Sequence, residues 1–453
     1  MKRRVELGLV VLAALITVAA YVLVSMGNDA SVPANIGPFF AAVLVVFIGA
    51  HIATRRLAPN ADSLLLPLAI LLNGLGYVFI VRVANDVRGA KDLPGLQANW
   101  TLLGVAGYVA TLFVLRRVRV LDRYRYIFMA IGVGLLLLPL MPGLGRSVSG
   151  ARIWIRFAGL SFQPGEIAKI ALAIFFASYL VENRELLRMG SFKLGPLHLP
   201  EPKHLGPLGL AWGVSLIVLV MERDLGSSLL FFAVFVTMVW IATERAAYLL
   251  IGLLLFSGGA YVSYQRFDHV QTRVEAWVDP WQDPKGKGFQ IIEGSFAMSE
   301  GGLTGTGLGL GRPYKVPRVE TDFIFAAIGE ELGLAGSTAI LIAFLLIVAS
   351  GLRIAVRARH PFEKLLAAGL TALIGFQAFI IIGGVTRVVP LTGITLPFVS
   401  YGGSSLPANY VLLALLVRIS DESSPAPSPP RRRAIRRRRM REPEPVAIGE
   451  VAG

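Results

Sequence analysis

Residues 1–26 read MKRRVELGLVVLAALITVAAYVLVSM, a basic leader followed by an apolar run long enough to cross a bilayer. The run exceeds the core of a signal peptide and lacks a convincing small-residue cleavage site, so a retained span is expected. The same signal recurs at about 36–54, 64–82, 98–116, 124–142, 163–182, 205–221, 225–243, 246–264, 330–352, 364–389 and 398–418. The composition agrees: 55% of residues are hydrophobic and 16% charged, against roughly 25% charged in a soluble domain. The expected fold is all-α, a polytopic transmembrane helix bundle of about ten to twelve spans with a large extracellular loop.

The net charge of +15 would suit nucleic acid if it were clustered on a folded face. Much of it instead falls in the tail, at Arg431 to Arg433, Arg436 to Arg439 and Arg441, and most of the rest in short loops such as Arg55-Arg56, Arg116 to Arg119 and Arg353 to Arg359. Such a distribution marks cytoplasmic ends that face anionic lipid headgroups, so no nucleic-acid partner is expected. An even number of spans then puts both termini inside and the longest interruption, about 265–325, outside. Residues 1–420 read as one membrane domain and 421–453 as a disordered Pro/Arg-rich cytoplasmic tail. Cysteine is absent, which removes thiolate chemistry and disulfides.

Charged residues near membrane depth are costly and invite functional hypotheses. In Gln163-Pro164-Gly165-Glu166-Ile167-Ala168-Lys169, Pro164 suits a helix start, and Glu166 and Lys169 share a face where they can pair, either as a site or as simple charge neutralisation. Glu222-Arg223-Asp224 sits between two apolar spans and reads as a hydrated cavity or as a helix cap by Asp224. In the outer loop, Asp279-Pro280-Trp281-Gln282-Asp283-Pro284-Lys285-Gly286-Lys287-Gly288 combines turn residues with carboxylates and lysines, as a presented acid or a solvated turn. Gly301 to Gly311 fits no phosphate-loop spacing and reads as a flexible loop. Glu330-Glu331, Arg387 and Ser400 to Ser405 place acids, an arginine and hydroxyls at span ends, and the small residues of the last would equally serve helix packing. The histidines form no ligand pair, so no metal site is expected.

In this order, together with Ala151-Arg152-Ile153-Trp154-Ile155 and Thr321-Asp322-Phe323-Ile324, these motifs resemble the SEDS family, the RodA/FtsW group, from about residue 60 to 420. The run Gly383 to Gly393 further resembles actinobacterial RodA-type members. The chain departs from the usual pattern at Gly165 and at Glu222-Arg223, and it carries two extra N-terminal spans. The resemblance implies an inverting peptidoglycan glycosyltransferase of the cytoplasmic membrane that polymerises lipid II into β-1,4 glycan strands during cell elongation. It implies Asp283 as general base and a class B penicillin-binding protein as partner. Arg152, Arg156, Lys169 and Arg387 become candidates for the diphosphate and lipid headgroups, with Glu166, Glu330 and Glu331 pairing with those cations. No cofactor is required, although Mg²⁺ or Mn²⁺ is compatible with a diphosphate leaving group. A polyprenyl-lipid flippase or a non-catalytic scaffold would also carry intramembrane charges and stands as the alternative.

Overall fold

The computed structural model describes residues 2–29, 36–87, 89–148, 151–157, 160–188, 192–194, 197–199 and 224–424, with a few positions between 206 and 217. The expected span 205–221 falls mostly outside these residues, as do Glu222, Arg223 and the tail from 425.

Among the described residues the longer helices are α1 (Lys2–Asp29), α2 (Ile36–Leu57), α3 (Leu65–Asp86), α4 (Leu93–Val114), α5 (Arg125–Leu137), α6 (Gly165–Glu182) and α7 (Leu225–Thr243). They continue with α8 (Ala247–Arg266), α9 (Asp268–Val278), α10 (Phe289–Gly301), α11 (Ile324–Arg357), α12 (Pro361–Val385) and α13 (Ser405–Ser423). Each expected span other than 205–221 coincides with one of these helices. By length and composition alone, α1, α3, α7, α8, α11 and α12 qualify as membrane-crossing. Of the others, α5 is short, α6 carries Glu166 and Lys169, and α13 carries Arg418 and Asp421. The bundle buries Leu, Ile, Val, Phe and Ala side chains as one continuous core, with α11 against α12, α13 against α4, and α1 against α3.

Three features among the described residues depart from a purely helical reading, one of them a short antiparallel pair of strands, Phe192–Leu194 and Leu197–Leu199. A three-stranded antiparallel sheet, β1 (Gly145–Val148), β2 (Ala151–Phe157) and β3 (Leu160–Phe162), precedes α6. The last helix begins at Ser405 rather than near 398, because Phe398 adopts φ 65° and the Ser400 hydroxyl donates to the Thr321 carbonyl at 2.6 Å, which holds 396–404 as a lip. At the other end α13 runs through Asp421 and Glu422 to Ser423, into the segment read as tail.

The loop between α8 and α11 is largely structured, with α9, α10 and two short 3₁₀ turns. Its glycine-rich part is not the loose connection expected. Gly333, at φ 64°, breaks the helical pattern of α11. The break leaves the carbonyls of Glu330 and Glu331 available, and they accept from Thr306 N (2.9 Å) and Gly307 N (3.1 Å). Leu334 N reaches back to the Gly302 carbonyl at 2.9 Å. The loop is thereby sewn onto the helix it precedes.

Candidate functional site

A cavity of about 370 Å³ opens where the loop meets the bundle. Its walls come from Ile153 and Trp154 of β2, Gln163 and Glu166 at the start of α6, Asp224, Arg273 of α9, Lys287 and Gln290, Thr321 and Asp322, and the lip residues Gly402 to Ser405. Most of the motif segments singled out in the sequence therefore converge on one space.

Local chemistry explains how each segment gets there. Pro164 leads into α6, and Gln163 N donates to Ser404 Oγ at 2.7 Å. One turn later Lys169 Nζ pairs with Glu166 Oε2 at 2.8 Å, as their spacing suggested, and also donates to Gln377 Oε1 at 3.0 Å. Gln377 Nε2 in turn donates to the Thr395 carbonyl at 2.8 Å. Both charges of the pair are buried, and Glu166 faces the cavity while Lys169 stands behind it. Asp224 caps α7 by accepting from Ser227 N at 3.0 Å, so its capping and cavity readings both hold. Arg273 Nη1 donates to the Thr392 carbonyl at 2.6 Å, which anchors the guanidinium on the wall beside Asp322. Burial pushes the Asp322 carboxyl up to about 6, against the opposing pull of the Thr321 hydroxyl, Arg318 and Arg273.

Asp283 is exposed, in the turn between the 3₁₀ helix Pro280–Gln282 and α10. Its Oδ2 accepts from Lys287 N at 3.1 Å, and its carbonyl accepts from Gly288 N at 3.0 Å. A Cβ on Gly288 would collide with the Pro280 backbone, so glycine is required there, whereas one on Gly286 would only push aside the exposed Asp283 carboxylate. Asp283 does not itself line the cavity. It adjoins the cavity through Lys287, whose ammonium pairs with Glu275 at 3.1 Å.

Several sequence-based candidates lie away from the cavity. Arg152 donates to the Met141 carbonyl at 3.3 Å and Arg156 is exposed on β2; neither lines the cavity. Arg387, at φ 61°, donates through Nη2 to the Trp277 carbonyl at 3.1 Å, while Trp277 Nε1 donates to the Arg387 carbonyl at 2.9 Å. It buttresses the end of α9. Of the carboxylates expected to pair with those cations, only Glu166 does so. Glu330 and Glu331 bond elsewhere: Glu330 Oε1 accepts from Arg312 N at 2.5 Å, and Glu331 accepts from Arg82 Nε at 2.9 Å and from Gly309 N at 2.9 Å.

Arg82, Arg273 and Asp322 received no role from the sequence. A lone arginine within a span, Arg82, carried the signal of costly charge at membrane depth. Asp322 lay in a quoted motif without an assignment, and nothing around Arg273 marks it apart from other loop arginines. Among the described residues no three His, Asp or Glu side chains converge as a metal site, so no metal-dependent step is derived.

A family model described as "Cell cycle protein", FTSW_RODA_SPOVE, matches residues 62–425, leaving α1 and α2 ahead of the matched segment. A Mycobacterium tuberculosis protein named "Peptidoglycan glycosyltransferase RodA" is 47% identical over 425 residues, covering 92% of this chain and 90% of the relative. The Geobacter metallireducens "Probable peptidoglycan glycosyltransferase FtsW" is 34% identical over 376 residues, covering 81% of this chain and 96% of the relative. Among solved structures, a chain from work on the structural coordination of polymerization and crosslinking by a peptidoglycan synthase complex superposes with a TM-score of 0.66. It is 26% identical, with 80% of this chain and 98% of that one covered. The Thermus thermophilus rod shape determining protein RodA, 24% identical with a TM-score of 0.58, covers 81% of this chain and 98% of its own and shares the polytopic helical fold.

Proposed function

Because the chain belongs to the FtsW/RodA/SpoVE family of cell cycle proteins, we propose that it is a peptidoglycan glycosyltransferase that polymerises lipid II, with Asp283 as the general base. The observation that carries this reading is the convergence of Trp154, Gln163, Glu166, Asp224, Asp322 and Ser404 on one cavity, with the Asp283 turn adjoining it through Lys287. A transporter would use the cavity as a path. A polymerase needs, in addition, a carboxylate presented beside it.

In the reaction, the 4-hydroxyl of an acceptor N-acetylglucosamine attacks the anomeric carbon of a lipid-linked donor. The new glycosidic bond forms as the bond to the diphosphate breaks, the electron pair leaves with the diphosphate, and the hydroxyl proton passes to Asp283. A sugar hydroxyl is a poor nucleophile at neutral pH, so the base acts as attack proceeds, contributing about 10²–10⁴ in rate. Lys287, Arg273 and Arg318, cations on the cavity wall, oppose the growing charge on the leaving group. Lys169 sets the orientation of Glu166, and Arg152 and Arg156 lie on the strand beside Trp154, where lipid headgroups pass.

The loop faces outward, the basic clusters and both termini face the cytoplasm, and the membrane is the cytoplasmic one. The partner is a class B penicillin-binding protein that crosslinks the strands, in line with the synthase complex to which the fold is similar.

The test is to incubate purified protein, with and without its cognate class B penicillin-binding protein, with fluorescent lipid II and resolve products on a gel. Asp283→Ala and Asp283→Asn are expected to lose the glycan ladder by at least about a hundredfold while folding normally. Ladders that persist in both variants would move the base elsewhere, Asp279 first. A wild type that makes no polymer beside an active control enzyme would favour flipping.

A further inference from the structure

Helix α10 has two working faces. Lys287 and Gln290, at its start, border the central cavity, whereas Phe289, Glu293, Phe296 and Glu300 recur at helical spacing on the other side. These four residues form one wall of a second depression of about 470 Å³, within the usual range of small-molecule sites, about 300–1,000 Å³. Tyr314 and Glu330 belong to it as well.

Three observations mark this groove as built for a ligand. Phe296 and Tyr314 are each about half exposed, at 50% and 49%, and Trp281 stacks edge-on against Phe296 at 5.9 Å, an aromatic cluster that folding alone does not require. Glu330 is 1% exposed, yet its Oε2 has no hydrogen-bond partner, a costly arrangement that a donor arriving from outside would relieve. The remaining polar side chains are mixed in sign, Glu293 and Glu300 with Arg312 and Lys315, so neither a polyanion nor a polycation is favoured.

We propose that this groove is a saccharide subsite that holds the glycan strand beyond the reacting sugars. Pyranose rings present apolar C–H faces to Phe296 and Tyr314, and hydroxyl or acetamide N–H groups donate to Glu330 Oε2 and Glu293. The identity of the ligand rests on the polymerase reading above; the existence of a ligand site rests on the groove. The placement is apt for a growing chain, because the Asp283 turn leads directly into α10, whose two sides carry the cavity and the groove.

The test uses full-length protein in nanodiscs and an octasaccharide of alternating N-acetylglucosamine and N-acetylmuramic acid whose lactyl carboxyls are amidated, as they are in the peptide-bearing strand. Phe296→Ala and Glu330→Gln are expected to weaken octasaccharide binding about tenfold or more and to shift the lipid II ladder toward shorter chains. Phe296 is exposed, so its truncation keeps the test valid should Glu330→Gln fail to fold. Asp283→Asn is expected to bind the octasaccharide as wild type does while making no ladder, which separates failure of the groove from failure of the base. Wild type that makes ladders without saturable octasaccharide binding would overturn the proposal. So would binding within twofold of wild type in both groove variants, or a loss confined to capture of the penicillin-binding protein, which would make the groove a protein interface.

Discussion

Arginine and carboxylate meet in two settings: Arg82 and Glu331 are bonded to each other in the core, whereas Arg273 and Asp322 line the same cavity wall without a direct bond between them. Arg82 and Glu331 are 3% and 0% exposed at the side chain, and Arg82 bonds to Glu331, to the Gly311 carbonyl and to Asp86. Glu331 Oε2 also takes Gly309 N at 2.9 Å. That knot is closed. Glu6, fully buried in α1 with His51 and Arg55 of α2 around it, forms another. Arg273 and Asp322 instead face a cavity, and the Asp322 carboxyl is held near 6 by burial. A charge at membrane depth thus marks a place to look, and only an open wall beside it makes a site.

The comparison breaks most visibly at the closed knot. Glu331→Ala takes from the buried Arg82 the carboxylate on its Nε and from Gly309 N its acceptor, leaving Arg82 only Asp86 and the Gly311 carbonyl, and loss of one partner of a buried pair costs up to about 3–5 kcal/mol. The expected outcome is low yield and early thermal unfolding of the purified protein. An Arg82→Met, Glu331→Leu double variant is expected to recover most of the stability. Recovery of normal stability in Glu331→Ala alone would make the knot dispensable and the contrast with the cavity false.

Arg273→Gln tests the open side. Loss of a charge-assisted contact to the leaving diphosphate is worth about 1.5–3 kcal/mol, so polymerisation is expected to fall on the order of tenfold to a hundredfold, with unfolding temperature shifted far less than in Glu331→Ala. An unfolding shift as large as that of Glu331→Ala would make Arg273 another structural clamp through Thr392.

The smallest expected effect is a pH signature at Asp322. Because burial raises this carboxyl, the folded state holds its proton more tightly than the unfolded chain does. The contribution to stability is complete below about pH 4 and is lost as pH rises through about 6. Asp322→Asn, which mimics the protonated form, is expected to flatten the unfolding temperature between pH 4 and 7 and to unfold at or above the wild-type temperature at pH 7. Its polymerisation is expected to be slower, since the cavity wall loses a negative charge beside Arg273. An unchanged pH dependence of unfolding in the variant would sink this reading.

Much of the fold was legible because lipid imposes a simple rule: apolar runs about 20 residues long must become helices that satisfy their own backbone. The Glu166–Lys169 pair was legible for a related reason, since spacing along a helix sets which side chains meet. The same local logic failed where backbone conformation overrides it. At Gly333, a positive φ broke the helix so that the Glu330 and Glu331 carbonyls pair with the glycine loop, which turned an expected flexible segment into a fixed one. At Phe398, a positive φ delayed a helix and made its first residues a lip.

By itself, then, the sequence determined a polytopic helical membrane protein and the order of motifs that marks its family. Only the tertiary structure decided which of the charged residues face the cavity. Arg152, Arg156 and Arg387 were the sequence's candidates and lie off the cavity, whereas Arg273, which carried no such signal, lines it. Local rules act over a few residues, whereas a cavity is built by segments as far apart as Ile153 and Ser405, whose approach depends on packing that no local pattern encodes.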